Sequence, residues 1–117
     1  MKALFKWIHS PDVSDLEKFN PEEKFGFLLQ IFVGSDETDG EESFDLFLCS
    51  PSCISEKMKG TEILVGHHYL IMQKYDYEKL IHFIQNFCEQ CIGETWDEVA
   101  KKLSRIGIWE FEDYRRQ

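Results

Sequence analysis

Four cysteines are the residues of this chain whose type and spacing could bind a metal ion. They occur as Cys49-x3-Cys53 and Cys88-x2-Cys91, spacings that suggest a zinc site built from thiolates. Cys88 and Cys91, however, fall on the apolar stripe of a predicted helix, and free cysteine is among the most buried residue types. Cys49 ends a predicted strand and Cys53 lies in a short helix, which does not give two tight turns that converge on one ion. We therefore predict core thiols without a metal or other cofactor, and a small metal-binding protein that uses the four cysteines stays as an alternative.

Catalytic motifs are missing from the sequence. It contains no G-x-S-x-G, no glycine-rich phosphate loop and no H-E-x-x-H. His67 and His68 are adjacent at the start of a predicted strand, so we expect their side chains to point to opposite faces of the sheet. Carboxylates are abundant, but no pair lies in the apolar setting that general acid–base chemistry needs. We predict that the protein is not an enzyme.

The acidic residues form two dense groups. The segment "SDETDGEESFD" carries six acids and no base, and like charges this dense extend a loop into solvent. A second group follows at the C-terminal end, in "WEFED". The first group is either a solvated hairpin tip or a docking surface for a basic protein face. The partner-binding residues that we predict are Asp36, Glu37, Asp39, Glu41, Glu42, Glu110, Glu112 and Asp113.

Length and charge narrow the class of protein. The chain has 117 residues, 43% of them apolar, which suits a single domain over residues 1–117 with one core. The formal net charge of −9 disfavours binding to nucleic acid or anionic membranes and favours basic partners. No apolar run approaches the roughly 18–20 residues of a membrane span, and the N-terminus lacks the apolar segment of a signal peptide. We expect a cytoplasmic protein, and the sequence leaves its oligomeric state open.

Apolar residues alternate with polar ones in some segments and recur at helical spacing in others, which predicts an α+β fold. We predict strands over residues 1–9, 25–34, 43–50 and 66–76, and helices over 50–58, 76–93 and 94–107. Ser50, Asp76 and Thr95 suit the N-caps of the three helices, and Thr95 with Glu98 has the capping-box pattern. The second and third strands are joined by a short glycine-containing turn, which predicts an antiparallel hairpin. The expected architecture is a mainly antiparallel sheet of four to five strands with helices packed on one face.

Two stretches predict which aromatic side chains share a face. In the first strand, simple alternation groups Ala3, Phe5 and Trp7 on one face. In "IGIWEFEDYRRQ", alternation places Trp109 and Phe111 on one face of a strand and Glu110 and Glu112 on the other. We expect this segment to fold back as an edge strand that buries both aromatics and displays the acids. The alternative is that the aromatics are displayed and anchor a partner, since Trp and Tyr are frequent at hot spots.

Several of these segments together resemble a known family. "GEESFD" at 40–45, "YDY" at 75–77 and "WEFEDY" at 109–114 are similar to the immunity protein 8 family, and the resemblance runs from Lys2 to Arg115. Members are small cognate inhibitors of bacterial polymorphic and contact-dependent toxins. The resemblance implies that this chain binds and neutralises the C-terminal domain of a cognate toxin and catalyses no reaction.

The charge of the chain agrees with that implication. An acidic inhibitor suits a nuclease toxin, because a surface that binds nucleic acid is basic, and complementary charge speeds association. An acidic adaptor or regulatory domain that binds another basic protein is the alternative from a different class. Gene order distinguishes the two, because an immunity gene lies directly downstream of a toxin gene.

Overall fold

The structure, a computed structural model, describes residues 1–112. Its elements are strands Ala3–His9 (β1), Gly26–Ser35 (β2), Glu42–Cys49 (β3), Tyr69–Ile71 (β4) and Ile108–Trp109 (β5), and helices Pro51–Lys57 (α1), Tyr77–Glu89 (α2) and Trp96–Leu103 (α3). They form an α+β fold with a five-stranded, mostly antiparallel sheet, as predicted. Among the described residues, none of the helices has the length and hydrophobicity of a membrane span.

Strand β3 lies at the centre of the sheet. It pairs antiparallel with β2 along its whole length, and β2 pairs antiparallel with β1. The other edge of β3 is shared: β5 pairs antiparallel with its beginning, and β4 pairs parallel with its end. The β2–β3 turn contains Gly40 at φ +104°, a conformation that favours glycine, so the predicted hairpin is confirmed.

One face of the sheet and the two longer helices enclose the core. Alternate residues of β2 and β3 are buried there, namely Phe27, Leu29, Ile31, Val33, Phe44, Leu46 and Leu48. Helix α2 contributes Leu80, Ile84 and Cys88 to this core, and α3 contributes Val99, Ala100 and Leu103. The predicted apolar stripe of α2 is therefore confirmed, including the burial of Cys88 and Cys91.

A bulge in β1 overturns the predicted grouping of its aromatic residues. Phe5 pairs with Val33 on the core face, but the register shifts before the next pair, Trp7 with Phe32. Lys6 is the extra residue, so the alternation is interrupted there. Trp7 lies on the opposite face from Phe5 and is 46% exposed, and the prediction that Ala3, Phe5 and Trp7 share a face is wrong.

The fourth strand is shorter than predicted, and this changes the placement of the two histidines. Only Tyr69–Ile71 pairs with β3, because His67 and His68 form a turn in which His68 has φ 60°. The two imidazole rings lie 3.5 Å apart between centroids, so the prediction that they point to opposite faces is wrong. His68 is buried, and its Nε2 lies 2.7 Å from the carbonyl oxygen of Ser104.

The helix starts follow the predicted caps. Ser50 Oγ accepts a hydrogen bond from the backbone N–H of Cys53, and Asp76 caps α2 in the same way. Thr95 Oγ1 accepts from the backbone N–H of Glu98 at 3.2 Å. The Glu98 carboxylate returns to the N–H of Glu94, so the reciprocal half of the capping box is made one residue earlier than the pattern predicts.

Candidate functional site

The C-terminal segment returns to the edge of β3 and brings the two acidic groups together. Gly107 makes this return possible, because a Cβ at this position would lie 3.1 Å from the backbone of Phe44. Ile108 and Trp109 then pair with Asp45 and Phe44. The predicted edge strand is confirmed, although it is only two residues long.

Trp109 and Phe111 differ in burial. Trp109 is partly buried and packs against the core, with its ring parallel to that of Phe44 at 6.5 Å. Phe111 is 39% exposed and contacts Trp109 edge-on. A turn, closed by the hydrogen bond from Glu112 N to Trp109 O, ends the alternation before Phe111. The expected burial of both aromatics is therefore correct for Trp109 and wrong for Phe111.

Glu42 connects the hairpin to both the last helix and the last strand. Its Oε1 accepts hydrogen bonds from the indole nitrogens of Trp96 at 2.8 Å and Trp109 at 2.7 Å. We call these three residues the Glu42 clamp. Hydrogen bonds to an ionised acceptor are roughly twice as strong as those between neutral groups. Glu42 is half-buried, so it holds the site together rather than extending freely into solvent.

Backbone and side-chain bonds complete the junction of the two acidic groups. Ser43 N donates to Glu110 Oε1 at 2.7 Å, and Glu110 N donates to Ser43 O at 3.1 Å. We call the resulting end of the sheet the acidic edge. It comprises Asp36, Glu37, Asp39, Glu41, Glu42, Glu110 and Glu112. Asp113, which we also predicted, lies outside the described residues.

The hairpin turn is tied to the rest of the molecule at three further positions. Asp36 Oδ1 accepts from the backbone N–H of Lys2 at 2.8 Å, and Glu37 lies 3.0 Å from the N-terminal amine of Met1. Glu41 Oε1 accepts from Trp7 Nε1 at 2.8 Å. The acids are exposed except for Glu42, but these bonds hold the turn in one arrangement. A charged surface that is already ordered loses less conformational entropy when it binds a partner.

A groove runs between the acidic edge and α3. It has a volume of about 870 Å³ and is lined by Glu42, Trp96, Asp97, Lys101, Trp109, Phe111 and Glu112. Aromatic rings and carboxylates thus lie side by side. Lys101 is paired with Asp97 at 3.0 Å. This combination suits the cationic side chains of a protein partner, since carboxylates pair with them and aromatic faces attract them.

The cysteine thiols have the properties of buried groups. Burial raises the pKa of Cys49 to about 11 and that of Cys88 to about 12, and it also raises the pKa of Cys91. The folded state therefore favours the neutral form of each of these thiols, because their buried surroundings disfavour the charged thiolate. In the part of the chain that the structure describes, no group of three or more His, Cys, Asp or Glu side chains could hold a metal ion.

Sequence reasoning missed two residues of this site. Trp96 was not among the predicted site residues, and Trp7 was only grouped with Ala3 and Phe5 on one face of the first strand. A partly buried indole such as that of Trp96 usually finds an acceptor for its N–H, and Trp7, although 46% exposed, also bonds a hairpin carboxylate. The need of an indole N–H for an acceptor, in a sequence that also contains an acidic turn, is the signal that could have linked these two tryptophans to the hairpin carboxylates.

Comparison with known proteins identifies the family. The chain belongs to the immunity protein 8 family, whose model, described as Immunity protein 8, matches residues 3–114. Separate comparisons with curated proteins and with solved structures found no match. Family membership makes the chain a non-enzymatic immunity protein whose partner is a cognate toxin.

Proposed function

We propose that this immunity protein neutralises its cognate toxin in the cytoplasm by docking the acidic edge on a basic surface of the toxin's C-terminal domain, and that the toxin is a nuclease. The single observation that carries the proposal is the junction of the two acidic groups through the Glu42 clamp and Ser43. Residues 67 positions apart in the chain thereby contribute to one negatively charged surface.

Electrostatics supports this choice of surface. The chain has a net charge of −9, and the acidic edge concentrates part of that charge at one end of the sheet. Nuclease surfaces that hold a phosphate backbone are basic. Complementary charge can raise association rates from about 10⁵–10⁶ to 10⁸–10⁹ M⁻¹s⁻¹ at low salt. Fast capture suits a protein that must reach the toxin before the toxin reaches its substrate.

Charge reversal tests the proposal. The probe is the C-terminal domain of the toxin encoded directly upstream, and the variant is Asp39→Lys with Glu112→Lys. Asp39 and Glu112 are exposed, so the fold should be retained. We expect association to slow about tenfold or more at low salt, with a weaker dependence on ionic strength, because the steering charge is lost.

A matched control separates the acidic edge from net charge. Glu22→Lys with Glu23→Lys makes the same change in charge on exposed residues before β2. Since β2 has 10 residues and rises about 3.3 Å per residue, these positions lie roughly 30 Å from the hairpin. Both variants are compared at physiological salt, where the Debye length of about 8 Å screens the distant control positions, so the control should associate at nearly the parental rate while the acidic-edge variant stays slower. Equal slowing by both variants at this salt concentration, or no slowing by either, would remove the acidic edge from the interface.

A further inference from the structure

The face of the sheet opposite α2 and α3 carries apolar side chains where polar ones are usual. An antiparallel sheet with one solvated face normally shows polar residues there. Here the outward positions include Trp7, Leu28, Phe32, Phe47, Ile71 and Ile108, of which Phe47 is contacted by α1, whose Lys57 Nζ lies 4.4 Å from the ring centroid. We call these six residues the open face. Trp7, Ile71 and Ile108 are about half exposed, and an exposed apolar patch of this kind is typical of an interaction site.

The aromatic pair on the open face is held in a fixed geometry. Trp7 and Phe32 stack with their ring centroids 4.1 Å apart and their planes within 4°. The bulge in β1 produces this pair, because it turns Trp7 away from the core and opposite Phe32. The hydrogen bond from Trp7 Nε1 to Glu41 fixes the indole from a second side. A rigid aromatic side chain loses little conformational entropy on binding, which is a property of hot-spot residues.

The open face is continuous with the acidic edge. Trp7 belongs to the open face and Glu41 to the acidic edge, and the two share a hydrogen bond of 2.8 Å. Ser43 lies directly opposite Phe32 in the strand register and is bonded to Glu110. A partner seated on the acidic edge therefore meets the open face without crossing another element.

Asp45 adds a requirement for the chemistry of the partner. It lies on the open face, in register with Gln30 and Ile108. Its Oδ1 is buried and has no hydrogen-bond donor within residues 1–112. A buried carboxylate oxygen without a donor is unfavourable, and because this oxygen is closed to direct contact, a Lys or Arg side chain of the partner would favour it through its charge.

The energetics of interfaces explain why the acidic edge needs a neighbouring apolar surface. Charged residues are depleted at the core of interfaces, and stable complexes bury about 800 Å² on each partner around an apolar centre. Charge mainly determines how fast partners meet, whereas the buried centre determines how slowly they separate. Beside the acidic edge itself Phe111 is 39% exposed, whereas the open face carries six apolar side chains.

We propose that the open face is the apolar centre of the toxin interface, with the stacked Trp7 and Phe32 as its anchor. The occupant is an apolar patch of the toxin domain, bordered by Lys or Arg side chains that face Glu41, Asp45 and Glu110. This inference rests on the proposed function, because it takes the toxin to be the partner of the acidic edge.

The test measures dissociation from the upstream-encoded toxin C-terminal domain. Trp7→Ala should accelerate dissociation at least about 30-fold, the change that corresponds to a hot spot of about 2 kcal/mol. Phe83→Ala is the matched control: Phe83 is 49% exposed but lies on α2, which packs on the other face of the sheet. It should leave the dissociation rate within about twofold of the parent.

A second variant keeps the test decisive if Trp7→Ala alters the fold. Ile108 is 47% exposed and lies beside Asp45. Ile108→Lys should leave thermal stability unchanged or higher, because the new ammonium can pair with Asp45. It should nevertheless accelerate dissociation of the toxin at least about tenfold, since a basic partner is repelled.

The dissociation rates of the open-face variants decide whether the inference holds, independently of the result for the acidic edge. Parental dissociation rates for folded Trp7→Ala and Ile108→Lys overturn the inference, even if the charge-reversal variant of the acidic edge shows slow association. Faster dissociation of these variants supports the inference, even if reversal of the acidic edge has no effect on association. If the variants instead abolish self-association of the immunity protein, the open face binds a second copy and the inference is also overturned.

Discussion

Trp109 Nε1 lies 2.7 Å from Glu42 Oε1, and this bond joins the end of the described chain to the start of the central strand. The same oxygen accepts the indole N–H of Trp96. One carboxylate therefore satisfies two partly buried donors from two different elements. Glu42 was predicted as a partner-binding residue, and its contacts assign it a structural role as well.

Glu42→Ala should destabilise the protein more than any other single acid-to-alanine change in the hairpin turn. Two indole donors would lose a charged acceptor, and such hydrogen bonds contribute about 1.5–3 kcal/mol. We expect a loss of about 2–3 kcal/mol, which lowers the melting temperature by roughly 10 °C for a domain of this size. Thermal unfolding followed by circular dichroism measures this loss.

Asp39→Ala is the control for that measurement. Asp39 is an exposed acid of the same turn, and substitutions of exposed residues usually stay within about 0.5 kcal/mol. Equal melting temperatures for Glu42→Ala and the parent protein would show that the clamp contributes nothing to stability in solution.

Gly107→Ala should loosen the last strand. The added Cβ would meet the backbone and Cβ of Phe44 at 3.1 Å, closer than most side-chain contacts, so β5 or the central strand must move by a few tenths of an ångström. Overpacking of this kind costs about 1–3 kcal/mol. Urea unfolding checks the loss. Gly66→Ala serves as the control, because a Cβ there meets no atom within 4 Å. Similar midpoints for both variants would contradict the close approach that we assign to Gly107.

Stability should fall as the pH rises above 9. Burial raises the pKa of Cys88 from its ordinary value of 9.0 to about 12, so the folded state favours the neutral thiol. The contribution of the neutral Cys88 thiol to the free energy of unfolding is complete below pH 9 and is lost progressively between pH 9 and 12. Burial shifts Cys49 and Tyr75 in the same direction.

Urea unfolding between pH 7 and 11 measures this dependence. Cys88→Ala should reduce the alkaline loss of stability without abolishing it, because Cys49 and Tyr75 still titrate above their ordinary pKa values in the folded state. An unchanged slope in the variant would mean that Cys88 is accessible to water when ionised.

Much of the fold follows from the sequence because its signals are local. Alternation over residues 25–34 and the cap residues Ser50, Asp76 and Thr95 predict elements that the structure contains. Each signal depends on neighbours within a few residues, such as the cap bond from Cys53 N to Ser50 Oγ. The helical spacing likewise predicts the burial of Cys88 and Cys91, since positions three or four apart share a helix face.

The tertiary structure alone decided which surfaces meet. The bulge at Lys6 reverses the face of Trp7, and alternation cannot show it because one inserted residue changes no local propensity. The short turn after Trp109 exposes Phe111 for a similar reason.

The composition and order of the residues determined the negative charge, the elements and the family motifs of this protein. Its three-dimensional pairing determined that the hairpin acids and the C-terminal acids form one edge beside an apolar sheet face. The physical reason is that Glu42, Trp96 and Trp109 must satisfy their hydrogen bonds across 54 and 67 positions of chain. Pairing at that separation depends on packing of the whole core, which no short stretch of sequence encodes.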